Sequence, residues 1–248
     1  MVTTHLQGGA MKLLRKNISI SVLAIFFILL FGMTACVSTS SSYKIPSPVE
    51  PSGKHLFFLH GTITEEKGAY ATTREYGTYD YHHMVKSFRD RGFTVISEIR
   101  PQGTNKVAYA KKVVHQINTL INSGVLSKNI SVVGFSKGGD ITLNVAAILK
   151  NPDVRFVVMA GCGKTGRYRQ SFQNFVTGAA TSMQGHFLSV YDANDAICGS
   201  CQAAFNAAGD NITSKEIELY VGRGHGTFYE PRREWLDPVV DWINSSRP

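Results

Sequence analysis

From Lys54 onward, short apolar runs alternate with amphipathic stretches. HLFFLHG (55–61), FTVISEI (93–99), ISVVGF (130–135), VRFVVMAG (154–161), HFLSVYD (186–192) and EIELYVG (216–222) each have the length and composition of a strand. Between the second and third of these, Val107, Ala110, Val114, Ile117 and Ile121 recur at three- and four-residue steps, which puts them on one face of a helix. The middle runs are apolar on both faces, as buried parallel strands are. The last alternates Ile217, Leu219 and Val221 with Glu216, Glu218 and Tyr220, the pattern of an edge strand with one wet face. Strand and helix in alternation predict an α/β domain, with a mostly parallel sheet of six strands and helices on both faces. Asp80 is placed to cap a helix opened by His82 and His83. At the carboxyl end, EWLDPVVDWI predicts a helix with Asp237 as cap, Pro238 in the first turn, and Trp235, Val239 and Trp242 facing inward.

The amino end has a different texture. Lys12, Arg15 and Lys16 precede the apolar ISISVLAIFFILLFGM, MTAC ends on Cys36, and the Ser- and Pro-rich VSTSSSYKIPSPVEPSG follows. The expected organisation is therefore a leader and signal segment over 1–35, a tether over 36–53 and a domain over 54–248. Residues 12–36 resemble a bacterial lipoprotein signal, with Met33 standing where that family usually has leucine. The resemblance implies that Cys36 carries a lipid and holds the domain in the cell envelope, on the non-cytoplasmic side of a bacterial membrane. An uncleaved membrane anchor is the alternative, because the apolar run approaches the length of a span. QGGAM at 7–11 is the kind of segment whose codons embed a ribosome-binding sequence, which would make Met11 the true start.

With 248 residues and 43% hydrophobic content the chain supports one full-sized core and not two large domains. The formal charge of +8 does not indicate nucleic acid as a partner: Lys12, Arg15 and Lys16 carry three of the charges, and the rest form no basic run or interleaved aromatic stripe.

The chemistry centres on SVVGFSKGGD (131–140), where Ser136 stands between Gly134 and Gly138 at the handover from a central strand to a helix. A turn that sharp needs clearance at both glycines, and it thrusts the serine above the sheet with the first helix amides aimed at its hydroxyl. About 0.2 G-x-S-x-G matches are expected by chance in a chain of this composition, so the setting must carry the reading. Three features supply it. LHGT (59–62) ends the first strand, VYDANDAIC (190–198) follows the fifth and offers acids, and GRGHGTF (222–228) follows the last and offers His225. In motif and in the order Ser, Asp, His, residues 54–245 resemble the α/β-hydrolase family.

That resemblance implies an α/β-hydrolase fold with little or no lid, and a serine hydrolase cleaving carboxylic esters of short or polar acyl groups. Ser136 would be the nucleophile, His225 on a loop tip the base, and Asp195 the acid, with Asp192 as alternative. The Gly61–Thr62 backbone and the Lys137 amide would hold the oxyanion. It implies no cofactor and no metal, and a small-molecule ester or acyl substrate. The Lys137 side chain is expected to be solvated and His60 to shape its loop. Residues 162–185 are too few for a large lid, leaving Tyr168, Phe172 and Phe175 as light cover, and the polar loop over 62–80 speaks against a long-chain lipase. Lys137, Lys164, Arg167 and Arg223 belong to loops on one sheet edge; ordinary surface charge is the preferred reading, and a weak bias towards anionic substrates the alternative.

Two motifs lead elsewhere. GCGKTG (161–166) echoes a phosphate-binding loop, but has Val158 where that motif needs glycine and leads into RYRQSFQNF without a clear helix start. CGSC (198–201) has only Cys162 to join it once Cys36 is lipidated, and no second C-x-x-C exists, so a disulfide among Cys162, Cys198 and Cys201 is expected in place of a metal site, with the pairing open. From a different functional class, a non-catalytic envelope lipoprotein could use the same fold to bind a ligand or partner with its triad idle.

Overall fold

A computed structural model of the chain describes Ile45 and residues 47–245. The leader, Met11, Cys36 and most of the tether lie outside the described residues. In chain order, β1 (His55–Leu59) leads through α1 (Thr62–Lys67), β2 (Tyr70–Thr73) and β3 (Gly77–Asp80) to α2 (Tyr81–Arg89), β4 (Thr94–Ile96) and α3 (Lys106–Asn122). β5 (Ile130–Phe135), α4 (Lys137–Leu149), β6 (Arg155–Met159), β7 (Cys162–Gly163) and α5 (Gly166–Thr177) follow. β8 (Gly185–Asp192), β9 (Cys198–Gly199), α6 (Gln202–Ala208), β10 (Ile212–Leu219), a 3-10 turn at Gly224–Phe228 and α7 (Arg233–Asn244) complete the domain.

Six strands form the main sheet in the order β10-β8-β6-β5-β1-β4, and every neighbouring pair is parallel. The period of two along each strand divides the core. Phe57, Leu59, Ile130, Val132, Phe156, Val158 and Phe187 face Ala110, Val113 and Ile117 of α3, Ile141 and Val145 of α4, and Phe205 of α6. Leu56, Phe58, Val133, Phe135, Val157, Met159, Leu188 and Val190 face Met84 and Phe88 of α2 and Trp235, Leu236 and Val239 of α7. Helices therefore cover both faces, as strands apolar on both sides require. From β1 the chain moves outward to β4 and then returns to β5 on the other side. The carboxyl ends of β1 and β5 thus flank the point where the winding reverses, which is where open α/β sheets leave a crevice.

Several sequence expectations are corrected. The buried seam of α3 is Ala110, Val113, Ile117 and Leu120. Val114 and Ile121 only flank it, and Val107, in the first turn, is 46% exposed. The edge strand runs over 212–219, not 216–222, because its register with β8 begins at Ile212 opposite Gly185. The stretch 62–80 is not a loop: it holds α1 and the β2–β3 hairpin, whose Thr72 and Thr78 hydroxyls bond across the strands at 2.9 Å. A helix does follow GCGKTG, with extended Thr165 as its N-cap. Phe175 of that helix is buried and Phe172 packs against the same core, so neither covers the site. At the carboxyl end the helix begins at Arg233, which puts Pro238 inside it; Asp237 is no cap, and binds Arg91 at 3.0 Å and Arg233 at 2.9 Å. Trp242 is only partly buried.

Cys162 pairs with Cys201, Cα–Cα 5.3 Å, across a short antiparallel ladder of β7 and β9. Cys198 remains a buried free thiol. No helix among the described residues is long and apolar enough to cross a membrane.

Three outcomes follow from this packing. Ile117→Ala should cost about 2–5 kcal/mol in urea unfolding, whereas Val107→Ala should stay within about 0.5 kcal/mol. Replacing Cys162 and Cys201 by serine should cost about 2–4 kcal/mol. Peptide mapping after iodoacetamide treatment should find Cys198 unmodified in the native protein and alkylated after unfolding, because burial pushes its thiol pKa up and hides the sulfur.

Candidate active site

Ser136 occupies the turn between β5 and α4 with φ 54° and ψ −120°, a conformation that non-glycine residues adopt only where their surroundings enforce it. Its N–H donates to the Met159 carbonyl at 2.9 Å, extending the β5–β6 ladder by one residue. The clearance expected of the flanking glycines is quantitative. A Cβ at Gly138 would lie 1.9 Å from the Leu59 carbonyl oxygen, and one at Gly134 would lie 2.1 Å from the Gly138 carbonyl oxygen.

His225 comes from the 3-10 turn after β10, and Asp195 from the loop between β8 and β9. The structure brings both to Ser136. His225 Nε2 is 3.0 Å from Ser136 Oγ, and Nδ1 is 2.7 Å from Asp195 Oδ2. A carboxylate only accepts, so the imidazole proton sits on Nδ1 and leaves Nε2 free to accept from the serine hydroxyl. His225 is 6% exposed, which corrects the picture of a histidine on an open loop tip. The ring is flanked by Phe135, with centroids 5.0 Å apart, and by Tyr76 at 6.3 Å.

The two aspartates have separate tasks. Asp195 Oδ1 accepts from the Ile197 and Cys198 amides at 2.7 and 3.0 Å. Burial opposes its charge, but the hydrogen bond from His225 and those from the two amides hold the carboxyl below its usual range. A carboxylate that titrates lower in the folded than in the unfolded chain stabilises the fold at neutral pH, and that contribution is lost as pH falls through the folded value. Asp192 does not reach His225. It accepts from the Asn194 amide at 2.9 Å, the Gly222 amide at 3.2 Å and the Thr227 hydroxyl at 2.7 Å, joining the turn after β8 to the segment that carries His225.

Opposite the imidazole, α1 and α4 both begin beside Ser136. A Cβ on Gly61, the N-cap of α1, would lie 3.3 Å from Ser136 Cβ. Thr62 and Lys137 open their helices, and opening N–H groups have no partner within the helix. His60, fully buried, donates from Nδ1 to the Gly61 carbonyl at 2.8 Å and accepts the Arg100 amide on Nε2 at 2.9 Å. Burial, with Arg100 and Lys137 adding to it, keeps that ring neutral as this arrangement requires.

The Lys137 side chain is not solvated: Nζ donates to Glu65 Oε2 at 2.6 Å, and Glu65 Oε1 accepts from Arg100 Nε at 2.7 Å. A second pair, Lys106 with Asp140, lies on the same wall. These groups line a cavity of about 760 Å³ that also meets Tyr76, Tyr168 and Arg167.

Asp195, Cys198 and His225 bring a carboxylate oxygen, a sulfur and a ring nitrogen within 4.8 Å of one another. A metal there would have to compete with the three hydrogen bonds the carboxylate already accepts and ionise a thiol whose pKa burial pushes up.

Tyr76, Glu65 and Arg100 are contributors to this site that sequence reasoning did not find, and Cys198, read there only as a disulfide candidate, lends its amide to Asp195. Glu65 is indistinguishable from Glu66 by pattern, and Arg100 closes an apolar run with nothing to mark it as buried. Cys198 alone carried a signal, its place three residues after the acid.

No family model and no curated protein matches the chain. Solved structures do. A Klebsiella pneumoniae protein classed as a dienelactone hydrolase superposes with a TM-score of 0.58 at 14% identity, covering 81% of this chain and 90% of that one. Acetyl xylan esterase 1 from Thermoanaerobacterium gives 0.51 at 18% identity, covering 80% and 77%. An acetyl xylan esterase from Paenibacillus gives 0.51 at 14% identity, covering 78% and 74%. Identities this low carry the architecture and not the activity. Six parallel strands between two layers of helices, with Ser136, Asp195 and His225 on loops at one edge of the sheet, identify the α/β-hydrolase fold.

Proposed function

We propose that the chain is a serine hydrolase that cleaves carboxylic esters of short or polar acyl groups through an acyl-enzyme. The observation that supports this most is the unbroken hydrogen-bond path from Ser136 through His225 to a buried, charged Asp195. In this reading His225 takes the Ser136 proton as Oγ attacks the ester carbonyl carbon. Asp195 holds the proton-bearing Nδ1 in place and stabilises the imidazolium that forms. The Lys137 amide and the Gly61–Thr62 backbone receive the oxyanion, each amide worth on the order of 3 kcal/mol of barrier. The tetrahedral intermediate collapses as His225 returns the proton to the leaving alkoxide. Water, deprotonated by the same ring, then releases the acid and restores the serine.

The substrate class follows from the cavity wall. Its fixed charges come in opposed pairs, Lys137 with Glu65 and Lys106 with Asp140, and Arg167 lies over Tyr168 within the field of Glu66. Arg223, another cation at this edge, faces Glu230 at 3.6 Å. Such walls favour an uncharged polar acyl group over an anion or a long alkyl chain. The solved relatives named for acetyl xylan and dienelactone hydrolysis are consistent with small esters. The hydrolase would work in the cell envelope, tethered by a lipid on Cys36. The Cys162–Cys201 disulfide supports that placement, since such bonds persist outside the reducing cytoplasm.

A fluorophosphonate probe should label the wild-type protein and not Ser136→Ala. Absence of label on the wild type would instead favour a binding protein with an idle triad, and label surviving the substitution would move the nucleophile elsewhere. With p-nitrophenyl acetate, Asp195→Asn should lower kcat by about 10³–10⁴-fold through the wrong imidazole tautomer. Asp192→Asn should chiefly lower the melting temperature, because its partners are structural. Comparable kcat losses in the two variants would remove the distinction drawn between them.

A further inference from the structure

The mechanism leaves unexplained a chain of three buried charges beside the nucleophile. Glu65 is 1% exposed, Arg100 is fully buried and Lys137 is 17% exposed, each by its side chain. A carboxylate in such a place needs its partners, and Glu65 spends one oxygen on each cation, Oε1 on Arg100 Nε and Oε2 on Lys137 Nζ. What the cations hold is informative. Arg100 Nη2 donates to the His60 carbonyl and its amide to the His60 ring, whose other nitrogen bonds the Gly61 carbonyl. Arg100 therefore grips the loop that ends β1. Lys137 is the residue after Ser136 and opens α4, and in the proposed mechanism its own N–H receives the oxyanion.

We propose that Glu65 is a positioning residue that locks the two halves of the oxyanion site into one unit, acting through Arg100 on the His60–Gly61 loop and through the Lys137 side chain on the start of α4. This rests on the hydrolase reading for its catalytic consequence, but the bracing itself is a separate structural claim. The two halves come from segments more than seventy positions apart in sequence, Gly61 and Lys137. Their amides must keep a fixed spacing to within about half an ångström to serve one oxygen atom. A side-chain pair bridging those segments opposes their separation where the ends of the helices cannot.

The test uses the full-length protein with Glu65→Gln, Glu65→Asp, Lys137→Met and the double variant Glu65→Gln/Lys137→Met. Two readouts are taken: ester turnover, and amide hydrogen exchange over 60–67 and 136–140. The expected result is a kcat lower by roughly 10–100-fold in Glu65→Gln with KM within about threefold, since a donor displaced from its place weakens the transition state and not substrate binding. Lys137→Met, which leaves the Arg100–Glu65 pair intact and so guards against loss of folding, should lower kcat in the same direction. The double variant should be no worse than the poorer single one. Glu65→Asp should regain part of the loss. Faster exchange in both segments, with the rest of the sheet unchanged, should accompany the kinetic effect. A kcat unchanged in Glu65→Gln and Lys137→Met, or losses that multiply in the double variant, overturn the proposal. If the wild type turns over no ester and takes no fluorophosphonate, the hydrolase reading has failed and the bracing is judged on exchange alone: faster exchange in both segments upholds it, and unaltered exchange in both variants overturns it.

Discussion

Where β1 and the start of α4 meet, backbone lies directly on backbone, and the geometry of everything above the sheet is set by how closely they approach. A Cβ on Gly138 would sit 1.9 Å from the Leu59 carbonyl oxygen, far inside van der Waals contact, so the position has no room for any side chain. That proximity is what brings the Gly61 loop against Ser136, and it exists only because β1 and β5 pair side by side, Leu59 opposite Gly134. The strained backbone at Ser136, a conformation costing on the order of 1–3 kcal/mol, is held by the same packing. A residue larger than glycine at 138 would therefore disturb Ser136, the Gly61 loop beside it and the pairing of two central strands together.

How much of this was legible follows from which interactions have a short-range signature. The alternation of apolar runs with amphipathic stretches reports burial on both faces of a sheet, so the α/β layering could be read directly, as could Asp80 at the start of α2, whose carboxylate accepts the His83 amide. Seams were harder. In α3 the residues 107, 114 and 121 share a face at a seven-residue repeat, and only packing against α4 selects Ala110, Val113, Ile117 and Leu120 over them. In α7, Pro238 looked like a first-turn residue because proline is common there, yet tertiary contacts of Trp235 and Leu236 extend the helix ahead of it.

At the site the same distinction holds. Ser136 announces itself because its turn demands glycines at fixed offsets, and His225 because it sits alone between two glycines after the last strand. The meeting of these groups with Asp195 is a property of the fold, and the assignment of Asp195 over Asp192 depended on a motif offset that the hydrogen bonds then give a physical meaning: one carboxylate faces a ring nitrogen, the other faces two amides and a hydroxyl. The buried ion chain had no such marker. Lys137 next to a nucleophile looks like surface charge, and its partner lies 72 positions away.

The Asp195 side and the Gly61 side of Ser136 are secured by different physics. Asp195 sits in a loop held by backbone bonds from Ile197 and Cys198, by the β7–β9 ladder through Lys164 N–H on the Ile197 carbonyl, and by the Cys162–Cys201 bond just beyond it. Its order is local and covalently reinforced. On the Gly61 side no disulfide joins the two segments, which share a carboxylate bound by two cations, an arrangement that is strong only while water is kept out. Glu65 and Arg100 satisfy that condition and Lys137 nearly does. Burial, which makes an unpaired charge so costly, is thus the feature that lets one glutamate hold two distant pieces of backbone in register.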